Sequence, residues 1–289
     1  MLYLCIVTIL WAFSFSLIGQ YLAGSVDSYF AVVTRISLAA LVFLPITQWR
    51  GVASSFIKGV MICGALQFGI TYVCLYLSFS VLSVPEVLLF TILTPLHITL
   101  IDDFLNHRFQ PWALVAALVA VFGAGIIRYD AINQNFLMGF LLLQVANFTF
   151  AAGQVYYKKL VKQFPSDIPQ YKRWGYFYIG GFLVAFPAFL LLGSPSSVLS
   201  ITAWQWGILV WLGLAASALG MYWWNKGACQ VDAGTLGIMN NALIPAGLLV
   251  NLIFWNHQAD IPRLILGGII IASSLWINKL GRVTQKQPI

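Results

Sequence analysis

The run Tyr222-Trp223-Trp224-Asn225-Lys226-Gly227-Ala228 closes a long apolar stretch, and the next apolar stretch carries Asn240-Asn241 and Pro245. Aromatics, a carboxamide and a cation are followed by two adjacent amides and a helix breaker. Polar groups at membrane depth are expensive and face a bundle interior or a wet cavity. The surrounding composition fixes that setting, since the chain is 61% hydrophobic and only 8% charged, against about 25% charged in soluble domains. A span takes roughly 20 apolar residues, so about ten spans use roughly 200 residues. Only short loops remain. The sequence reads as an all-α integral membrane protein without a soluble domain.

The expected spans are 2–22, 28–47, 56–79, 84–101, 112–128, 136–157, 174–193, 204–227, 234–254 and 262–279. Gly24, Gly51, Pro111, Pro165, Pro195 and Pro262 punctuate them. Met1-Leu2-Tyr3 carries no basic segment and the first apolar run continues to Leu22, which reads as an uncleaved span. Cys5, Cys63, Cys74 and Cys229 are scattered in or beside apolar runs and read as small core residues.

The net charge of +7 is explained by its distribution. With alternate connections on opposite sides, one side holds Arg50, Lys58, Arg108, Lys158, Lys159, Lys162, Lys172, Arg173, Lys226, Lys279, Arg282 and Lys286. The other holds Arg128 and Arg263. Twelve against two places both termini in the cytoplasm. No nucleic-acid partner is needed.

The chain also repeats itself. Phe13-Ser14-Phe15 matches Phe148-Thr149-Phe150. Tyr72 matches Tyr222, Pro95 matches Pro245 and Asn106-His107 matches Asn256-His257, all three at an offset of 150 residues. Five spans per copy is an odd number, so residues 1–129 and 130–289 form two five-helix units of opposite orientation. Secondary transporters recurrently use this plan, with substrate between the units. It also places His107 and His257 at opposite membrane faces, where they cannot share a metal ion. His97 beside Pro95 reads as bonded to a carbonyl freed by the proline, with cavity contact as the alternative.

Leu10-Trp11-Ala12-Phe13-Ser14-Phe15, Thr34-Arg35-Ile36-Ser37-Leu38, Thr94-Pro95 and Trp224-Asn225 with Pro245 resemble the EamA-type, ten-span branch of the drug/metabolite transporter superfamily. The resemblance covers nearly the whole chain through short motifs. It departs where Asn106-His107-Arg108 and Asn256-His257-Gln258 stand in place of the Gly-Glu-Arg often found after spans four and nine. It implies a 5+5 inverted fold, a central cavity lined by spans other than five and ten, and export of a metabolite.

Candidate substrate contacts follow from residue type and placement. Gln144, Asn147 and Gln154 share one face of span six with Lys158, serving either as interhelical bonds or as ligand contacts. Lys226, beside Asn225, either pairs with a substrate anion or snorkels to the cytoplasmic surface. Arg35 lies inside span two and needs a partner, either substrate or a structural one such as a helix-end carbonyl or lipid phosphate. Trp11, Phe15, Tyr72, Tyr76 and Tyr222 supply aromatic walls, with Trp223 and Trp224 nearer the interface belt. Asn240 and Asn241 complete the set. Glu86 is the one carboxylate inside the expected spans and the coupling candidate, although Ser83-Val84-Pro85-Glu86 is also a capping box. Ala116, Ala120, Ala124, Gly268 and Ala272 mark spans five and ten as a scaffold seam.

No phosphate-binding loop, catalytic triad or zinc-type spacing is present in the sequence, so neither an ATPase nor a cofactor enzyme is expected. The expectation is a secondary active transporter in the inner membrane, monomeric or homodimeric. It moves small organic metabolites, with amino acids or related carboxylates and amines favoured, by alternating access coupled to protons or to exchange. A passive channel and an intramembrane lipid-handling enzyme using Asp102 and His107 are the rival classes. Pro95 and Pro245 are the hinge candidates. Pro245→Ala is expected to slow turnover more than it weakens binding; unchanged turnover in a reconstituted transport assay would remove the hinge role.

Overall fold

The computed structural model describes residues 1–107, 109–127 and 134–255, with 262, 265–267, 269–270, 272–274 and 276–277. Arg108, Arg128, Asn256, His257, Gln258, Arg263, Gly268, Lys279, Arg282 and Lys286 lie outside the described residues. The described chain is helical throughout, without strands. We number the helices α1 (Leu2–Leu22), α2 (Ser28–Ile46), α3 (Ser54–Phe79) and α4 (Val84–Leu105). They continue as α5 (Pro111–Ile127), α6 (Gln134–Gln163), α7 (Gly175–Leu192), α8 (Ala203–Ala228) and α9 (Ala233–Phe254). Eight of these nine are long and apolar enough to cross a membrane; α5, at 17 residues, is just short. A further apolar segment runs over Ile265–Ser274. The boundaries agree with the sequence reading to within a few residues, except that α4 and α6 extend further to Leu105 and Gln163.

Local chemistry sets the helix starts. Asp27 accepts from Phe30 N at 2.7 Å, Asp232 from Thr235 N at 3.0 Å, and Thr202 with Gln205 forms a full capping box. Each satisfies an otherwise orphaned N–H of a first turn. Gly24 and Gly51 take left-handed φ values of 73° and 76° in the turns after α1 and α2. His107 does the same at φ 48°, ending α4.

Three spans contain wide π turns, at Ile18–Leu22, Ala65–Ile70 and Leu212–Leu219. The last two lie at nearly the offset of 150 residues that relates Tyr72 to Tyr222. A π turn leaves carbonyls free, and here side chains fill them. Trp11 Nε1 donates to Ala216 O at 3.1 Å, and Tyr178 Oη lies 3.1 and 2.9 Å from Ser217 O and Ala218 O. Irregular backbone at membrane depth is tolerated where neighbours satisfy it in this way.

Between α3 and α7 the backbones touch. A Cβ on Gly64 would overlap the Phe177 carbonyl, and one on Gly180 would overlap that of Met61. Ala116 of α5 is fully buried and packs with Ile238 and Ile244 of α9, which places α5 against the second half of the chain. Ala120 and Ala124, beyond their backbone, are not among the described features. The four cysteines are free, and burial pushes the Cys229 thiol, in the α8–α9 link, up to about 11.

Gly64→Ala is expected to cost about 1–3 kcal/mol by overpacking, because the obstacle is backbone that cannot rotate away. Gly207→Ala, where nothing lies within 4 Å, should leave thermal stability in detergent unchanged. Equal melting temperatures for the two variants would contradict the tight α3–α7 contact.

Candidate functional site

A cavity lies within the bundle, lined from α1, α2, α3, α4, α6, α8 and α9. Among the described residues, neither α5 nor α7 contributes to the lining. On α1 it runs from Thr8 to Ile18, about 15 Å of helix at 1.5 Å per residue. Its volume is about 80 Å³, on a measure in which one water needs roughly 10–15 Å³. The walls are Trp11, Phe15, Ile18, Leu75, Leu143, Phe150, Trp224 and Leu243. Trp11 lies 4.8 Å from Trp224 and edge-on to Phe150 at 5.7 Å, ring centre to ring centre.

One full charge reaches this apolar chamber. Arg35 is 2% exposed and lines it. Its Nε donates to Ser217 Oγ at 3.0 Å, Nη1 to Tyr76 Oη at 3.0 Å and Nη2 to Tyr72 Oη at 3.2 Å. The guanidinium carbon also sits 4.5 Å above the Tyr72 ring. Helix-end carbonyls or a lipid phosphate are the structural partners expected from sequence; the partners are hydroxyls instead. All are neutral. Three of its five N–H donors are committed to these bonds among the described residues, and none goes to a carboxylate.

The amides have a more structural task. Span four is broken at Thr91–Leu93, a tight turn before Pro95, which leaves carbonyls of the preceding turn open. Asn147 Nδ2 donates to Phe90 O at 2.7 Å, Gln144 Nε2 to the same oxygen at 3.3 Å and Asn241 Nδ2 to Ile92 O at 3.2 Å. Asn147 also lines the cavity, as does Asn240, whose Nδ2 donates to Leu236 O at 2.8 Å. Pro245, by contrast, sits inside an unbroken α9. The two hinge candidates thus differ in kind.

Trp11, Phe15, Arg35, Tyr72, Asn147 and Asn240 are therefore brought together at the cavity. Tyr76 supports Arg35 from behind. Gln154 Oε1 accepts from Trp224 Nε1 at 2.8 Å and holds that indole in place. Asn225 donates to Met221 O at 3.0 Å, and Tyr222 packs on Phe43 and Trp174. Lys226 stays outside the chamber, its Nζ 4.8 Å above the Tyr3 ring. Glu86 accepts from Ser83 N at 2.7 Å and Ser83 Oγ at 2.8 Å, the geometry of the cap.

Two assignments need correction. Trp224, placed by sequence in the interface belt, is 1% exposed and walls the cavity. His97 Nδ1 has no hydrogen-bond partner among the described residues, and the ring lies edge-on to Phe148. Cavity residues not singled out as contacts include Thr8, Ser14, Thr71, Thr91, Thr94 and Phe150. The repeated Phe-Ser-Phe and Phe-Thr-Phe motifs, and Thr94-Pro95, were the available signals for three of them. Away from the cavity, Lys158 Nζ donates to Val231 O at 2.5 Å and Lys159 Nζ to Leu105 O at 2.7 Å. The first holds the α8–α9 link and the second caps the end of α4.

Helices of membrane-span length around a chamber that combines aromatic walls with a buried cation define an integral membrane protein with an internal binding site. The sequence model of the EamA-like transporter family matches residues 1–129. The chain is 67% identical over 282 residues to a "Probable biotin transporter" of Pseudomonas aeruginosa, covering 98% of each. It is 52% identical over 277 residues to the "Biotin transporter" of Escherichia coli K12, covering 96% of this chain and 92% of that one. The "Biotin transporter" of Salmonella typhimurium matches at the same identity and coverage. A solved crystal structure at 17% identity shares the fold, with a TM-score of 0.72 over 95% of this chain and 96% of the other. The chain belongs to the EamA-like transporter family. It is a membrane transporter of small metabolites and not an enzyme.

Asn241→Leu is expected to cost about 0.6–2 kcal/mol, the range for an interhelical bond in a membrane, because the Ile92 carbonyl loses its donor. Gly207→Ala again serves as the silent reference. Thermal unfolding of the purified protein checks this, and a melting temperature at or above that of the parent would contradict it.

Proposed function

We propose that this protein translocates biotin and that Arg35 receives the carboxylate of the cargo. The observation that carries the reading is the Arg35 guanidinium, buried at the cavity wall with only hydroxyl partners among the described residues. A buried charge is costly unless it is paired, and the missing partner here is an anion. A guanidinium fork suits a carboxylate because two parallel N–H bonds can form at once. The aromatic and aliphatic walls match the thioether ring and aliphatic chain of biotin. The amide and hydroxyl groups of Asn147, Asn240, Thr91 and Thr94 provide polar contacts at the same chamber. The names of the three relatives support biotin in place of the amino acids favoured from sequence.

The transport cycle we propose is alternating access between two inverted five-helix units, 1–129 and 130–289, with both termini in the cytoplasm of a cell bounded by this inner membrane. The charge asymmetry and the paired π turns of α3 and α8 support it. Pro95, at the broken span, is the better hinge of the two prolines. Glu86 is the coupling candidate by its position at the start of α4, where it accepts from Ser83.

Uptake of radiolabelled biotin into proteoliposomes tests the cargo directly. Losing one partner of a buried charge pair costs about 2 kcal/mol or more, so Arg35→Gln should weaken biotin binding by about 30-fold or more. Biotin amide, which lacks the charge, should bind parent and variant alike. Absence of biotin flux, or an equal loss for acid and amide, would overturn the assignment.

A further inference from the structure

A second hollow begins where the central cavity ends. Ile18 faces the cavity and its neighbour Gly19 faces the hollow, which has a volume of about 370 Å³. Gly19 and Gln20 of α1, Ser83 to Pro85 at the start of α4, and Asn251 near the end of α9 form most of its lining. Apolar side chains pack closely beside the hollow. Val84 is seated on Gly19 so closely that a Cβ there would overlap it, and Leu82 is seated on Gly139 in the same way.

The hollow contains an unmet demand. Asn251 is 5% exposed, and its Oδ1 accepts no hydrogen bond among the described residues. An unpaired buried acceptor of this kind costs about 1–3 kcal/mol, and among the described residues Asn251 is the one lining residue of this hollow that carries such an atom. Ser83 cannot meet the demand, because its hydroxyl and its N–H are both given to Glu86. The carboxamides of Asn251 and exposed Gln20 are the groups left to face an occupant. Among the described residues no lysine or arginine lines the hollow, so nothing described there would hold a carboxylate.

A carboxamide and a cyclic urea are complementary. The urea N–H donates to the carboxamide oxygen, and the carboxamide N–H donates to the urea carbonyl. We infer that this hollow is a vestibule site for the urea end of the cargo, with Asn251 Oδ1 as the acceptor of a ring N–H. The site rests on the reading of biotin as cargo. It selects the end of the molecule opposite to the one Arg35 selects, so the cargo is recognised twice by different chemistry, first at Asn251 and then, past Val84, at Arg35.

The test uses the full chain in nanodiscs, where both faces are open, with Cys5, Cys63, Cys74 and Cys229 changed to alanine and Pro85→Cys, on the lining of the hollow, as reporter. The rate of modification by a water-soluble thiol reagent is followed with biotin or with 2-imidazolidinone, the bare cyclic urea. Both probes should slow the reaction at least threefold. Protection should persist in Arg35→Gln, vanish in Asn251→Leu and return in Asn251→Asp, which keeps an acceptor at the same atom. If biotin is transported but neither probe protects the reporter thiol, or if protection depends on Arg35, the vestibule assignment is overturned while the cargo stands. If the parent transports no biotin, the cargo reading itself falls and takes this site with it.

Discussion

The break in α4 is the constraint on which the rest of the bundle depends. A helix in lipid must satisfy its own carbonyls, and the turn before Pro95 cannot. Around this turn Asn147 and Gln144 donate to Phe90 O and Asn241 donates to Ile92 O. These amides would be expensive anywhere else in α6 and α9. Here each donates to a backbone carbonyl at the break, so the amides tie the broken turn to α6 and α9. The consequence is positional: α4 is tied to α6 and α9, and Thr91 and Thr94 at the break line the cavity.

Arg35 adds charge to this frame without neutralising it. Its three hydroxyl partners fix the orientation of the guanidinium and solvate it locally, but they carry no negative charge. Tyr72 holds the cation both by its hydroxyl and by its ring face, a contact whose strength grows where water is excluded. Ser217 belongs to the π turn of α8, so the same wide turn that frees carbonyls for Trp11 and Tyr178 also brings a hydroxyl to the cation. The chamber is thus oriented and cationic at one wall.

Much of the fold was legible in the sequence. Apolar runs of span length and the caps at Asp27, Ser83, Thr202 and Asp232 mark the helices directly. Arg35, Trp11 and Asn147 were legible as site residues because a charge, an indole or an amide in mid-span has few cheap explanations. Thr8, Thr71 and Thr91 were not, because a hydroxyl bonded to its own preceding turn costs little and leaves no pattern. Trp224 misled because aromatic position along a span does not reveal which way the ring turns. The duty of Gln144 and Asn241 was hidden for another reason. Their partners are backbone atoms of a helix about 50 and 150 residues away, and only a structure shows which turn is broken.

The polar face of α6 also bears on how the chain enters the bilayer during synthesis. Its span, Leu137–Gln163, has the lowest mean hydropathy of the eight, 1.3, because it carries Gln144, Asn147, Gln154 and Lys158. Such a segment partitions weakly into lipid by itself. By the time it leaves the ribosome, however, α3 and α4 have already been made, and they hold the groups it bonds: Thr71 for Thr149 at 2.8 Å and Phe90 O for the two amides. The first half of the protein thereby acts as the solvent into which the second half inserts. Biogenesis of α6 is a docking step as much as a partitioning one.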